Sequence, residues 1–159
     1  MRYRSGLGYD SHRFGPKRPL ILGGVTLEHP RGLVAHSDGD AVAHAVIDAL
    51  LGAAAMGDIG RLYPDTDPRW KGASSMALLA DVGRRVMAAS YEIANVDVTV
   101  ITQAPKLAPH IEAMRANLAR ALGLSVNAVS VKAKTNEGMD AVGKGRGLQV
   151  FAMASLGGA

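Results

Sequence analysis

The sequence predicts an α+β sandwich, in which a single mixed β-sheet carries helices packed on one face. Three observations support this fold class: runs that alternate apolar and polar residues, apolar residues at helical spacing, and an alternation of these two patterns in the second half. The chain has 159 residues and no internal repeat or linker, which predicts one domain spanning residues 1–159.

The first half of the chain contains signals for a strand, a hairpin and a helix. Gly23-Gly24 separates two short apolar runs and is typical of a two-residue hairpin turn. Ser37 or Asp38 precedes an apolar stripe of helical period and is the predicted N-cap of that helix. The predicted elements are a strand over 3–9, hairpin strands over 19–22 and 25–28, and a helix ending near residue 56.

The second half alternates helices and strands. Val96, Val98 and Val100 alternate with Asp97 and Thr99, which indicates a half-buried strand. Two other stretches place apolar residues three and four positions apart, as amphipathic helices do. The predicted elements are a loop over 57–71, a helix over 74–89, a strand over 95–102, a helix over 109–122, and strands over 129–135 and 148–156.

Composition excludes several classes of function. The net charge is +4, but the basic residues are scattered and aromatic residues make up only 4%, so a stacking surface for nucleic acid is not expected. No apolar stretch is long enough to span a membrane, and the N-terminal residues lack the apolar core of a signal peptide. The absence of cysteine excludes thiolate catalysis and fits a reducing compartment, so we expect a cytoplasmic protein.

A metal site is predicted from three residues. Asp10 and His12 stand two positions apart at the end of the first predicted strand, so their side chains project to the same side. With His44 they offer a carboxylate and two imidazoles, a set that zinc accepts while keeping a fourth position open. Asp40 and Asp48, one helical turn on either side of His44, are the predicted partners of its second ring nitrogen. The alternative is a turn cap at Asp10 and ordinary histidines.

Phosphate-binding features occur near the strand and helix ends. Gly6 and Gly8 let a ligand approach the backbone closely, although two glycines in a strand also serve packing. His36-Ser37 precedes a helix, where free N–H groups attract anions; a plain helix cap is the alternative. Glu137 suits Mg²⁺, with a solvated strand end as the alternative.

Carboxylates in the loop after the first helix are candidates for ribose hydroxyls or a second metal. Asp58-Ile59-Gly60 and the run from Tyr63 to Asp67 contain them, and ordinary Asx turns are the alternative. From the residues alone, a metal-dependent phosphohydrolase and a non-catalytic nucleotide-binding module both remain open.

Seven short segments follow one another along the chain. They are Gly8-Tyr9-Asp10-Ser11-His12, Ala35-His36-Ser37-Asp38-Gly39-Asp40 with His44, Gly57-Asp58-Ile59-Gly60, Pro64-Asp65-Thr66-Asp67, Asn95-Val96-Asp97-Val98-Thr99, Gln103-Ala104-Pro105-Lys106 and Lys134-Thr135-Asn136-Glu137. In this order they resemble the 2-C-methyl-D-erythritol 2,4-cyclodiphosphate synthase family over nearly the whole chain. Each motif alone is modest, whereas the collinear set is specific.

The resemblance implies a cyclising phosphorus–oxygen lyase of the non-mevalonate isoprenoid pathway. Such an enzyme converts 4-diphosphocytidyl-2-C-methyl-D-erythritol 2-phosphate into 2-C-methyl-D-erythritol 2,4-cyclodiphosphate and CMP. The resemblance also implies a homotrimer with its active sites at subunit interfaces. Position by position, the family's zinc ligands match Asp10, His12 and His44, and Glu137 matches the ligand of a second metal, Mg²⁺ or Mn²⁺.

Substrate contacts are implied in the same way. His36 and Thr135 match the positions assigned to transition-state stabilisation. The implied substrate-binding residues are Asp10, Ser11, His12, His36, Ser37, Asp58, Ile59, Gly60, Tyr63, Pro64, Asp65, Thr66, Asp67, Thr102, Gln103, Ala104, Pro105, Lys106, Leu107, Ala108, Lys134, Thr135, Asn136, Glu137, Ala141 and Lys144.

The chain departs from the family pattern near its C-terminus. Ala141 stands where many members have an aromatic residue, and Gly143-Lys144-Gly145-Arg146-Gly147 replaces a frequent Gly-Arg-Gly-Glu-Gly. Arg146 therefore reverses a charge beside the implied threefold axis, and the family's central isoprenoid diphosphate ligand is not carried over to this chain. Tyr9 also replaces a frequent Phe.

Overall fold

A computed structural model describes residues 2–158 and contains a four-stranded mixed sheet with helices on one side. The strand order is β1-β6-β4-β5, and β2 and β3 form a separate two-stranded sheet. The elements are β1 (Arg2–Arg13), β2 (Leu20–Leu22), β3 (Val25–Leu27), α1 (Ala41–Ala54), α2 (Ile59–Leu62), α3 (Ser75–Ala88), β4 (Tyr91–Ile101), α4 (Ile111–Leu122), β5 (Val129–Lys134), α5 (Asp140–Gly143) and β6 (Gly147–Gly158), with single 3₁₀ turns at Pro68–Trp70, Ala108–His110 and Val126–Ala128.

Strand direction brings three chain segments to one end of the sheet. β6 runs antiparallel to both β1 and β4, and β5 runs parallel to β4. Strands β1, β4 and β5 therefore run the same way. Ser11 and Ile101 both pair with Gln149, and Ile101 also pairs with Lys134, so the C-terminal ends of these strands lie in one row.

Helix α1 packs unusually closely on β1. A Cβ atom added to Gly6 would lie 2.1 Å from the carbonyl oxygen of Ala49, and one added to Gly8 would lie 1.8 Å from that of Ala45. These distances are far below van der Waals contact, so only glycine fits at either position. Packing is therefore the role of both glycines, as the alternative interpretation predicted.

The helices bury the apolar stripes that the sequence predicts. Leu79, Val82 and Val86 of α3 and Leu118 and Leu122 of α4 are buried. Burial of such side chains contributes about 1.5–3 kcal/mol each. Among residues 2–158, no helix combines the length and apolarity needed to cross a membrane.

Two local predictions were wrong. The first strand continues to Arg13, so Asp10 and His12 lie within it rather than after it. The N-cap of α1 is Asp40, whose buried carboxylate accepts hydrogen bonds from the N–H groups of Ala43, Gly23 and Gly24. Asp40 thus joins the start of α1 to the hairpin turn.

Candidate active site

The three predicted metal ligands meet where β1 passes the first turn of α1. Oδ2 of Asp10 lies 2.9 Å from Nε2 of His12 and 3.0 Å from Nδ1 of His44. One potential ligand atom from each residue lies within 4.8 Å of the other two. The alternating pattern of β1 turns Asp10 and His12 toward the helices, while α1 turns His44 toward the strand.

Each histidine ring is held through its other nitrogen. Nδ1 of His12 donates to the carbonyl oxygen of Val34 at 2.8 Å. Nε2 of His44 lies 2.8 Å from Oγ of Ser75 and 3.1 Å from Oγ of Ser37. If these nitrogens keep the ring protons when a divalent cation binds, the nitrogens that face Asp10 are free to coordinate it.

The predicted partners of His44 were wrong. Asp40 is turned into the core to cap α1, and Oδ1 of Asp48 accepts a hydrogen bond from the backbone N–H of Ile59 at 2.7 Å. Burial raises the pKa of Asp48 although this hydrogen bond lowers it. Ser75 takes the expected place from α3, 31 residues away from His44.

Electrostatic interactions favour the ionised form of the Asp10 carboxylate in this cluster. Burial opposes ionisation of Asp10, but hydrogen bonds from His12 and His44 outweigh it and hold the pKa of Asp10 below its usual value. Burial likewise opposes a charge on His12, yet the contact with Asp10 raises the pKa of His12. A carboxylate and two imidazoles at these separations fit a cation such as zinc.

A cavity of about 490 Å³ opens beside the metal ligands. The implied substrate-binding residues in its wall are Asp10, His12, His36, Ser37, Ile59, Gly60, Tyr63, Pro64 and Asp65. Val34, Ala35, His44, Trp70 and Leu78 complete the wall. The cavity thus combines polar groups near the three predicted metal ligands with an apolar side formed by the loop after α1 and by α3.

Sequence reasoning missed Trp70 and Leu78 as wall residues. Trp70 is the only tryptophan in the chain, and its ring packs edge-on against Tyr63 with 5.1 Å between centroids. Leu78 carried only a core signal from its helical spacing. The one sequence signal for Trp70 was its position in the loop over 57–71, next to the candidate carboxylates.

The loop after α1 encloses the His36 segment. Nε2 of His36 donates to the carbonyl oxygen of Asp67 at 3.2 Å, and the N–H of Gly72 donates to that of His36 at 2.9 Å. The side chains of Asp58 and Asp67 cap short helical turns by accepting from Arg61 and Arg69. These two carboxylates therefore form local turn caps, as the Asx-turn alternative predicted. Asp58, Thr66 and Asp67 are not among the residues that line the cavity.

The remaining predicted contacts lie at the same end of the sheet but toward its opposite edge. Residues 102–108 follow β4, and residues 134–137 end and follow β5. Three strand spacings separate β1 from β5, which corresponds to about 14 Å. The structure therefore does not bring Thr135 and Glu137 to the metal ligands within one chain.

Thr135 and Glu137 form a small exposed unit. Oγ1 of Thr135 donates to Oε1 of Glu137 at 3.1 Å and accepts from the backbone N–H of Glu137 at 3.3 Å. Glu137 has a φ of 51°, in the left-handed region that non-glycine residues rarely adopt. Such backbone strain is concentrated at functional sites.

Ser11, Ala141 and Lys144 lie apart from the metal-binding cavity. Ser11 and Ala141 line a second, shallow cavity of about 250 Å³ with Arg13 and Arg146. Lys144 is exposed just after α5. No acidic side chain lines this second cavity, in keeping with the charge reversal at position 146.

The outer face of the sheet carries exposed apolar side chains that no other segment of residues 2–158 covers. Five of its side chains are between 38% and 77% exposed: Tyr3, Leu7, Tyr9, Phe151 and Met153. Tyr9 pairs with Phe151 across the strands, and Leu7 pairs with Met153. Continuous apolar patches of this kind mark contact surfaces.

Comparison with known families decides the chain's membership. The sequence profile of the YgbB family matches residues 3–157. The chain belongs to the YgbB family. The resemblance inferred from the seven motifs is confirmed by this match and by the named relatives of the family.

Relatives of this YgbB-family chain carry one name. A Burkholderia thailandensis protein named 2-C-methyl-D-erythritol 2,4-cyclodiphosphate synthase is 58% identical over 154 residues, 97% of this chain and 95% of that relative. A solved structure of a synthase of that name in a CDP-bound form is 40% identical, with a TM-score of 0.88 over 97% of this chain and all of that one. The bifunctional IspDF of Campylobacter jejuni is 43% identical with a TM-score of 0.96; this chain matches 43% of its length.

Proposed function

We propose that this YgbB-family protein converts 4-diphosphocytidyl-2-C-methyl-D-erythritol 2-phosphate into 2-C-methyl-D-erythritol 2,4-cyclodiphosphate and CMP. The carrying observation is the convergence of Asp10, His12 and His44 in the wall of a cavity that also contains His36 and Ser37. The curated relatives bear the name of this activity, and one solved relative is described as bound to CDP.

The reaction needs positioning and charge stabilisation rather than an enzyme nucleophile. An oxygen of the 2-phosphate bonds to the β-phosphorus of the same molecule, and the bond from that phosphorus to the oxygen bridging to the α-phosphate breaks. CMP leaves with the electron pair of the broken bond. Folding the substrate so that its two ends meet supplies about 7–11 kcal/mol.

Protein groups hold the two reacting ends. His36 and Ser37 orient the phosphate end in the cavity beside the metal ligands, and His36 stabilises developing charge without acting as a general base. Thr135 stabilises charge on the diphosphate. The loop carrying Asp58 and Gly60 binds the ribose, and residues 102–108 bind the cytosine.

Two metals assist the reaction. Asp10, His12 and His44 would hold zinc, which when bound supplies Lewis-acid polarisation of a phosphate oxygen. Glu137 would be the protein ligand of Mg²⁺ or Mn²⁺, cations that usually take few protein ligands. The mixed oxygen and imidazole donor set suits zinc, and Mn²⁺ or Co²⁺ can use the same residues.

A homotrimer completes the site. The predicted metal ligands lie at strand β1 and the Thr135–Glu137 unit follows strand β5, and these two edge strands are about 14 Å apart, so a neighbouring subunit has to bring the second part to the first. The apolar outer face, with Leu7 and Phe151, is the surface through which the subunits meet. A biosynthetic role and a chain without cysteine fit the reducing cytoplasm, where we place the enzyme.

One turnover assay tests the proposal. Purified protein is incubated with the diphosphocytidyl substrate, zinc and Mg²⁺, and the products are separated and identified by mass. We expect equal amounts of CMP and cyclic diphosphate. Release of a linear phosphate product would instead support a phosphohydrolase, and the absence of any turnover by a folded, metal-loaded protein would support a binding module.

A further inference from the structure

We propose that Ser75 and Asp38 are positioning residues that aim His44 at the metal. The inference rests on the proposed zinc site, and it extends that site to a hydrogen-bond chain running from His44 through Ser75 to Asp38. Neither Ser75 nor Asp38 touches the cavity or belongs to the predicted ligands.

This hydrogen-bond chain joins three separate parts of the fold. Ser75 is the first residue of α3 and is fully buried. Its Oγ lies 2.8 Å from Nε2 of His44 and forms a short hydrogen bond with Oδ1 of Asp38. The backbone N–H of Ser75 donates to Oδ2 of Asp38 at 3.0 Å, so both carboxylate oxygens face this one residue.

The donor and acceptor in each bond of this hydrogen-bond chain follow from the protons available. The carboxylate of Asp38 can only accept, so the hydroxyl proton of Ser75 is committed to it. The Ser75 oxygen then accepts from Nε2 of His44, which places the ring proton on Nε2 and leaves the Nδ1 lone pair for the metal. Nδ1 is the atom that lies 3.0 Å from Oδ2 of Asp10.

His12 reaches the same result by different means. Its Nδ1 is fixed by the backbone carbonyl of Val34, which no substitution removes. His44 depends instead on a side chain, so its orientation can be altered by changing one atom. Partners of this kind around a metal site contribute about tenfold to a hundredfold in metal affinity.

Ser75 is not required as a helix cap. The N-cap of α3 is Ser74, whose side chain accepts from the N–H of Ala77. Ser37 approaches His44 at 3.1 Å, a longer contact than the 2.8 Å to Ser75, so it supplements Ser75. The two adjacent serines therefore have separable roles: Ser74 begins the helix, and Ser75 aims the ligand.

The test compares Ser75→Ala with Ser74→Ala. Zinc affinity of the purified, metal-stripped proteins is measured by competition with a chromogenic chelator, after circular dichroism establishes that each is folded. We expect Ser75→Ala to bind zinc about tenfold to a hundredfold more weakly than the unmodified protein. Ser74→Ala should lose helix stability but keep its zinc affinity within about twofold.

Two further measurements keep the proposal falsifiable. Cobalt-loaded Ser75→Ala should show shifted visible absorption bands because His44 is no longer held, whereas cobalt-loaded Ser74→Ala should match the unmodified protein. Asp38→Asn keeps an oxygen for the Ser75 hydroxyl and should weaken zinc binding by less than Ser75→Ala does. Zinc binding by Asp38→Asn also tests the proposal if Ser75→Ala does not fold.

The outcomes separate this proposal from the metal assignment itself. Folded Ser75→Ala and Asp38→Asn proteins that bind zinc as tightly as Ser74→Ala would overturn the proposed hydrogen-bond chain while leaving the zinc site intact. An unmodified protein that takes up no zinc would overturn both.

Discussion

The two parts of the site differ in how complete each is within one chain. The metal side, with Asp10, His12 and His44, is built from interior faces of β1 and α1 and is held by hydrogen bonds that the two histidine rings donate to Val34 and Ser75. The nucleotide side, residues 102–108 and 134–137, follows strand ends and is largely exposed.

The difference teaches that rigidity and completeness are separate properties of this site. The metal side is preorganised because its ligands lie on a strand and a helix, and hydrogen bonds keep the two histidine rings from turning freely. The nucleotide side carries the predicted substrate contacts but is largely exposed in a single chain. We infer that oligomer formation, rather than folding alone, creates the full active site.

Removal of a metal ligand should produce the largest effect. His44→Ala is expected to lower turnover by about a thousandfold or more, equivalent to about 4 kcal/mol of lost transition-state stabilisation. Zinc content, measured by elemental analysis, should fall in parallel. His29→Ala is the matched control, because His29 packs on Phe14 away from the metal ligands. Retained zinc and turnover in His44→Ala would contradict the metal assignment.

A charge on the outer sheet face should separate the subunits without harming the metal side. Leu7 is 65% exposed in the single chain, so Leu7→Arg has little reason to unfold it. We expect a monomer by light scattering, unchanged zinc content, and turnover lowered by about a hundredfold, since a buried arginine is costly at an interface. Met87→Arg changes an equally apolar but differently placed residue of α3 and should leave the proposed trimer intact.

Loss of one hydroxyl on the nucleotide side should have a moderate effect. Thr135→Ala is expected to lower kcat by about tenfold to a hundredfold, the value of a hydrogen bond to a charged group. Zinc affinity and the trimer should be unchanged. Ser130→Ala, on the exposed side of the same strand, is the control. A loss of zinc in Thr135→Ala would mean that the two parts of the site are not separable.

The smallest expected effect concerns the cavity wall. Tyr63 donates to Asp81 at 2.5 Å and its burial, together with this contact, raises its pKa to about 12. Tyr63→Phe should cost about 1 kcal/mol of unfolding free energy at neutral pH.

The Tyr63 contribution should depend on pH in a defined direction. Because its pKa is higher in the folded protein than in the unfolded chain, the stabilisation is complete below about pH 10 and is lost as the pH rises toward 12. Urea unfolding at pH 8 and pH 11 measures this, with Tyr91→Phe as control. A stability difference that grows with pH would contradict the assigned hydrogen bond.

Local patterns predicted much of the fold and of the metal side. Alternation placed Asp10 and His12 on one side of a strand, and helical spacing placed His44 on a neighbouring element. The seven collinear motifs then identified the family. Each of these features is encoded within a short stretch of chain, which is why it could be read from the sequence.

Long-range contacts could not be predicted in the same way. Ser75 reaches His44 from 31 positions away, whereas Asp40 and Asp48 had the favourable helical spacing and still turned elsewhere. On β1 the usual rule is inverted, because Gly6 and Gly8 face the core while Leu7 faces outward. The close packing of α1 requires this, and no local signal announces it.

Subunit mixing tests the central claim most directly, that each active site joins a metal side and a nucleotide side from different subunits. His44→Ala and Thr135→Ala proteins, each of low activity, are unfolded together, refolded as an equal mixture, and assayed for cyclic diphosphate. If the two sides come from neighbouring subunits chosen at random, about one site in four is intact, so about a quarter of the unmodified activity should return. A mixture no more active than the sum of the two separate variants would contradict the account.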